Sequence, residues 1–369
     1  MKIAHVVFES PFLHVSGAAH RNRAIGLSLA NLGDVSTTII EDHLTEERRI
    51  PKRKRSHVEA RLPAELTTSI AHQISLQMPD LVVVDGIFLS DIATRIASMG
   101  HRVIVDMHNV ESALLEEIDR DRRGWRARLF YRGRWRRARA AEAALARTVS
   151  GIWACSTRDA ELLRDISGQA TRISVVPNPV PDWALNSVPP KACSEARYIF
   201  VGHLNYRPNL NAAIRLIERI HPLIQAAIPD AHLVVCGRTP GDRLRGLAEA
   251  AQGVTIEGDP PDLSEHYARA SAALIPLSEG GGTRLKVLEA LALCVPVIAT
   301  AKATEGLGLK PGQTHLAAET DEDFVQAARR LKEDPALREK LVEQGRAFVE
   351  AHHSYPAISR AVEVAVKGW

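Results

Sequence analysis

Short apolar runs rich in β-branched residues recur along the chain, each followed by a loop and then by a segment of helical period. In the first half these runs are KIAHVVFE, VSTTIIE, PDLVVVDGI, RVIVDMHNV, GIWACS and RISVVPNPV. Between them, RNRAIGLSLANLG and DIATRIASMG place apolar residues three and four apart, and the second stops on Gly100, a residue suited to ending a helix. Continuous apolar strands alternating with helices predict parallel sheets covered on both faces. The rhythm pauses over PNPVPDWALNSVPPKACSEA, whose prolines mark a linker. It resumes with RYIFVGHL, AHLVVCGR, GVTIEGD, SAALIPLS, VPVIAT and THLAAE, and three helical segments close the chain. The expected fold is α/β, with two doubly wound, Rossmann-like domains facing a central cleft. Residues 1–185 and 186–353 are the expected domains, and 354–369 a C-terminal helix packing back towards the first.

Composition narrows the partners. A length of 369 residues suits two domains. A net charge of +3 is too small for a general nucleic-acid binder, so no nucleic-acid partner is expected. MKIAHVVFES reads as a first strand and lacks the apolar core and cleavage site of a signal peptide. No apolar run approaches the roughly 20 residues that span a membrane. Cys155, Cys193, Cys236 and Cys294 are far apart and form no CxxC pair, which predicts reduced thiols in a cytoplasmic protein and no zinc site.

The strongest candidate chemistry is EGGGTRLKVLEALA, residues 279–292, just beyond the strand SAALIPL. Ligands of open α/β sheets sit beyond the carboxyl ends of the strands. Gly280, Gly281 and Gly282 permit unusual backbone conformations and close approach by a ligand. The free N–H groups of the following helix then form an anion site. Cations are disfavoured at that end of a helix, yet Arg284 and Lys286 fall in its expected first turn. A bound diphosphate would remove the conflict. Glu289, three residues past Lys286, shares its helix face and is placed to accept hydrogen bonds from a ribose diol. Leu285, Leu288 and Ala292 are expected to face the sheet. The plainer reading is a glycine-rich turn before a helix with a solvated Lys286–Glu289 pair; neither GxxxxGK[ST] nor GxGxxG occurs here.

Other candidates lie at strand ends in the first half. SPFLHVSGAAHRNRAIG carries Gly17, flanked by Ser16, Ala18 and Ala19, with His20, Arg21 and Arg23 beyond. Its plainer reading is an ordinary strand-to-helix turn. His108 in VDMHNVE ends an otherwise apolar strand and should emerge at the cleft, with Asp106 and Asn109 supporting it and Asp85 and Gly86 on the same rim. Two DxD matches, Asp119–Asp121 and Asp321–Asp323, lie in helical contexts away from strand ends.

SAALIPLSEGGGTRLKVLEALALCVPVIATAKATEGL closely resembles the C-terminal signature of the family 4 glycosyltransferases of the GT-B fold. FVGHLNYRPNLNAAIRLIERIHPLIQAAIPDAHLVVCG is similar to the opening of that family's donor domain, and VVDGIFLSDIA, VIVDMHNVES and GIWACSTRDAELL to its acceptor domain, in order. The resemblance implies a nucleotide-sugar donor, a UDP-sugar or GDP-sugar, held by the C-terminal domain. It also implies transfer with retention of configuration, no required cofactor and no bound metal. On the matching positions, Gly282 and Thr283 would offer backbone donors to the diphosphate, Arg284 and Lys286 would neutralise it, and Glu289 would take the ribose hydroxyls. His108 would contact the donor sugar or support the reaction centre, which with Arg284 and Lys286 makes the catalytic set. Gly17 would approach the diphosphate, and Gly280, Gly281, Leu285 and Arg238 complete the donor-binding set. Two positions depart from the family pattern. Gly281 stands where the family commonly carries the acid partnering Glu289, leaving either Glu279 as a substitute or backbone N–H groups to hold the sugar hydroxyls. Many members also place a basic residue just after the first strand of the donor domain; here His203, Asn205 or Arg207 takes that place, or nothing does.

RDRRGWRARLFYRGRWRRARAAEAALAR is densely cationic and interleaved with aromatics. Such a helix, spanning 120–139, suits either an anionic membrane surface at the inner face of the membrane or a solvated face. EERRIPKRKRSHVEAR adds a second basic patch. The expected activity is retaining transfer to a saccharide or lipid-linked acceptor in cell-envelope or exopolysaccharide synthesis. The alternatives are a nucleotide-sugar-binding homologue without transfer activity, a GT-B-like epimerase or hydrolase, and a natural-product glycosyltransferase.

Overall fold

The computed structural model describes residues 1–12, 17–44, 62–120, 125–168, 171–187 and 196–368, without the side chains of 118–120 and 125–132. Among the described residues, twelve parallel strands match the twelve apolar runs. β1 (Lys2–Val7), β2 (Asp34–Ile39), β3 (Leu81–Asp85), β4 (Val103–Met107), β5 (Gly151–Ala154) and β6 (Arg172–Val175) form one sheet in the order β2-β1-β3-β4-β5-β6. β7 (Arg197–Val201), β8 (His232–Gly237), β9 (Val254–Gly258), β10 (Ala272–Ile275), β11 (Val297–Ala299) and β12 (Leu316–Ala317) form the other, in the order β12-β11-β10-β7-β8-β9. Each sheet is doubly wound: the chain runs outward from β1 or β7, then crosses to the opposite side at β3 or β10. The strand order therefore reverses between β1 and β3, and between β7 and β10. Ligands of such sheets bind at these reversals.

Contacts divide the chain into two compact units. One comprises Met1–Pro179 with Gly281–Thr283 and Tyr355–Trp369; the other comprises Val180–Gly280 with Arg284–Ser354. Val180 and Ala184 are buried in the core of the second, so the first unit's main segment ends a few residues before 185. Residues 188–195 of the Pro-rich linker, with Cys193, lie outside the described residues. So do Ser16 and residues 45–61, which hold the second basic patch. The 120–139 stretch falls on the helix Trp125–Thr148 and the segment before it, and most of its side chains also lie outside.

Side chains alternate across each strand, so paired residues of a parallel register share a face. Leu81 and Val83 of β3 pack with Ile3, Ile104 and Trp153 beneath the helices Gly17–Ala30 and Tyr355–Lys367. Val82 and Val84 face the opposite core with Ala4, Val6, Val103 and Val105. From the C-terminal helix, Ile358 and Val362, both fully buried, join Ile25 and Leu29. Burying each such aliphatic side chain stabilises by roughly 1.5–3 kcal/mol. The same parity has a chemical consequence. β3 and β4 pair Asp85 with Asp106, so two carboxylates emerge side by side on the face covered by Gly17–Ala30.

Candidate functional site

In the second unit, the glycine-rich loop leaves β10 at the β7/β10 reversal. Gly280 at φ +117° and Gly282 at φ +71° take backbone conformations that L side chains rarely adopt, which is why glycine is required there. The helix that follows runs Leu285–Ala292. Leu288 and Ala292 are fully buried, and Leu285 packs partly buried against the same core.

Arg284 departs from expectation. It precedes the first helical residue and is buried, its guanidinium donating to the Gly280 carbonyl and lying 3.7 Å from Glu305. It closes the loop from within. Lys286 is the cation at the helix start. Its ammonium donates to Asn209 Oδ1 and lies 4.8 Å from the centre of the Phe200 ring, a cation–π distance. Burial pushes its pKa down to about 7, Glu289 pulling upward and Arg284 adding to the fall. Burial likewise raises Glu289, with Lys286 opposing.

Glu279 is buried; Arg207 ion-pairs with it and Asn211 Nδ2 donates to it at 2.6 Å. Both of its oxygens are thus engaged, and Arg207 is tied to the loop rather than standing apart as an independent cation. His203, Asn205 and Arg238 are exposed at the ends of β7 and β8. Asp321–Asp323 is the first turn of the helix Asp321–Glu333: Thr320 and Asp323 form a capping box, and Arg215 and Arg219 hold Asp321. That DxD is a structural cap.

In the first unit, the adjacent carboxylates at the β3 and β4 ends define a second cluster. Arg21 grips Asp106 through two bonds, Nε to Oδ2 at 2.8 Å and Nη2 to Oδ1 at 2.5 Å, and donates to Pro177 O and Asn178 Oδ1. His108 Nε2 lies 2.6 Å from Asp85 Oδ1 and 3.7 Å from Asp106 Oδ2. Asp85, Asp106 and His108 present ligand atoms within 4.8 Å of one another, as a metal site would. The Arg21 guanidinium, however, already occupies both Asp106 oxygens. Asn22, fully buried, sits beside Asp85. Gly17 is exposed at the first position of its helix, with His20 half-buried and Arg23 exposed.

Burial alone would lower the His108 pKa, but Asp85 and then Asp106 prevail and hold it above the ordinary 6.5. A group raised by folding contributes stability that is full below its unfolded pKa and fades as pH rises through the folded value. His108→Gln should therefore cost most below pH 6.5 and progressively less as pH rises above it in chemical denaturation. A difference from wild type that stays constant with pH would contradict the ion pair.

Sequence reasoning missed Asn209, Phe200 and Gly202 around Lys286, Asn211 at Glu279, and the acids behind His108. Glu111 is pushed up to about 8 by burial and by the Glu142 carboxylate, which Ser112 holds through its N–H at 3.2 Å and its hydroxyl. The available signals were polar residues in RPNLN, which opens the helix after β7, and the acid in HNVES.

Residues 40–179 match a family model described as a glycosyl transferase 4-like domain, and residues 195–334 one described as glycosyl transferases group 1. Over 85 residues the chain is 33% identical to glycosyltransferase 1 domain-containing protein 1 of Xenopus tropicalis, covering 23% of this chain and only 25% of that relative. Among solved structures, sucrose-phosphate synthase from Thermosynechococcus elongatus superposes with a TM-score of 0.73 at 18% identity, over 100% of this chain and 98% of that one. Anabaena HepE, solved in complex with UDP and glucose, superposes with a TM-score of 0.68 at 12% identity, over 100% of both chains. The sheet order and these superpositions define the fold as GT-B. The chain belongs to the glycosyl transferase group 1 family, with a family 4-like N-terminal domain.

Proposed function

We propose that this protein transfers a sugar, with retention of configuration, from a nucleoside diphosphate-sugar to an acceptor hydroxyl. The observation that carries this reading is the preorganised Lys286 ammonium beside a glycine-rich loop at the β7/β10 reversal. Charge developing on the departing diphosphate is what most needs stabilising in such a transfer. Fixed cations and N–H dipoles in a partly dehydrated site do this without reorganising. Glu289 is the residue proposed to read the ribose diol, and His108 the residue proposed to meet the donor sugar. UDP-sugars and GDP-sugars are the donor classes proposed, without a resident metal or other cofactor.

The acceptor proposed is a saccharide or lipid-linked saccharide of cell-envelope or exopolysaccharide synthesis. The support is the arginine-rich 120–139 stretch, suited to an anionic lipid diphosphate at the inner face of the membrane. Among the described residues, no helix is long and apolar enough to cross a membrane.

Thermal-shift screening over UDP-, GDP- and ADP-sugars should find one class that raises the melting temperature. At a hundred times Kd the expected stabilisation is about 2.7 kcal/mol. Sugar transfer should then require an added acceptor. Turnover without acceptor would point to an epimerase or hydrolase, and binding without turnover under any acceptor to a silent homologue. If no nucleotide-sugar stabilises the protein, the reading fails.

A further inference from the structure

Lys286 reaches its position through residues distant in sequence. Asn209, on the helix Arg207–Arg215, is buried, and its amide bridges two groups. Its Nδ2 donates to the His203 carbonyl at 3.1 Å, and its Oδ1 accepts from the Lys286 ammonium. The first bond fixes which end of the amide faces the lysine, since only the oxygen can accept. Gly202, at the end of β7, makes room for both. A Cβ there would lie 2.9 Å from Asn209 Cγ and Nδ2 and 3.1 Å from Lys286 Nζ. Gly202 does not have a positive φ, so it is space at the amide and the ammonium, not backbone conformation, that an added methyl would take away. The Phe200 face flanks the ammonium at 4.8 Å.

We infer that Asn209 is a positioning residue for donor binding: it holds the Lys286 ammonium in place before the diphosphate arrives, in a space that Gly202 keeps open. This rests on the proposed role of Lys286 at the diphosphate. The chemistry of the amide matters. A neutral acceptor orients the ammonium without cancelling its charge, so a diphosphate can still claim it. A carboxylate at 209 would form an ion pair and compete with the phosphates. A residue without an acceptor would leave a partly buried ammonium unanchored, and side-chain entropy would have to be lost on binding instead.

The test is calorimetric titration of the full chain with UDP or GDP, whichever stabilises the wild type. Asn209→Ala and Gly202→Ala should each weaken binding by roughly tenfold, the cost of losing one charged hydrogen bond. In a Lys286→Ala background, Asn209→Ala should weaken it no further, because its effect passes through the lysine. Asn209→Asp should weaken binding at neutral pH and move the alkaline loss of affinity to higher pH, since a carboxylate favours the protonated lysine. Circular dichroism and melting temperature establish that each variant is folded. Binding that responds to Lys286→Ala but not to Asn209→Ala or Gly202→Ala overturns the inference alone. So does additivity of the two alanine changes, or an unmoved pH profile for Asn209→Asp. Absence of any nucleoside-diphosphate binding by the wild type overturns the reading of the site, and the inference with it.

Discussion

Lys286→Ala should weaken nucleoside-diphosphate binding by roughly ten- to a hundredfold while leaving the fold intact. The estimate follows from the charged hydrogen bond it would make to phosphate, worth about 1.5–3 kcal/mol. The lysine is costly to keep. Burial brings its pKa down from 10.5 to about 7, so the unfolded chain binds the proton more tightly than the native one between those values. Across that window the group's contribution to stability improves as pH rises, and at pH 7 its removal should be neutral or stabilising. A melting temperature that is unchanged or higher, with binding lost, is therefore the expected pair of results in thermal denaturation and calorimetry. Binding should also take up a proton, because a diphosphate favours the ammonium. Affinity should then fall as pH rises above about 7, and this slope should be reduced in Lys286→Ala. Unchanged affinity in the variant would remove Lys286 from the site.

Arg21→Ala should produce the largest loss of stability among the changes considered. Its side chain and that of Asp106 are 1% and 2% exposed, and the two are joined in a bidentate pair. Removing one partner of such a pair leaves the other charged and dehydrated, at a cost on the order of 3–5 kcal/mol. For a cooperative unit of this size the melting temperature should drop by roughly 6–20 °C. Asp85 lies beside Asp106 in register, so the unpaired carboxylate would also face a second acid. Arg21→Met combined with Asp106→Leu should recover most of the loss, because it leaves no orphaned charge. A loss under about 1 kcal/mol for Arg21→Ala would mean that water reaches the pair.

The central strands were legible because a parallel strand buried on both faces must be apolar throughout, a local property of sequence; the more exposed β2, DVSTTI, showed instead through its β-branched residues. Lys286 and Glu289 were legible as a pair because a three-residue spacing puts them on one helix face. His108 stood out as a polar residue ending an apolar strand. The fate of Arg284 was not legible: its inward turn to the Gly280 carbonyl depends on the path of a loop with two positive-φ glycines. Glu279 reads in sequence as a replacement for the acid missing at Gly281. In the fold it is taken up by Arg207 and Asn211, partners contributed by another helix.

The sequence by itself determined the two doubly wound sheets, the position of the glycine-rich loop beyond β10, and the side chains at strand ends, because hydrophobic period and strand termini are written within short windows. The tertiary structure decided which polar groups meet. Asn209 and Lys286 are 77 positions apart, and Arg21 and Asp106 are 85 apart. Their contacts follow from strand order and register, through the adjacency of β7 and β10 and the pairing of β3 with β4 beneath one helix. Neither is encoded in any local window, so the partners of each buried charge emerge only when the sheets assemble.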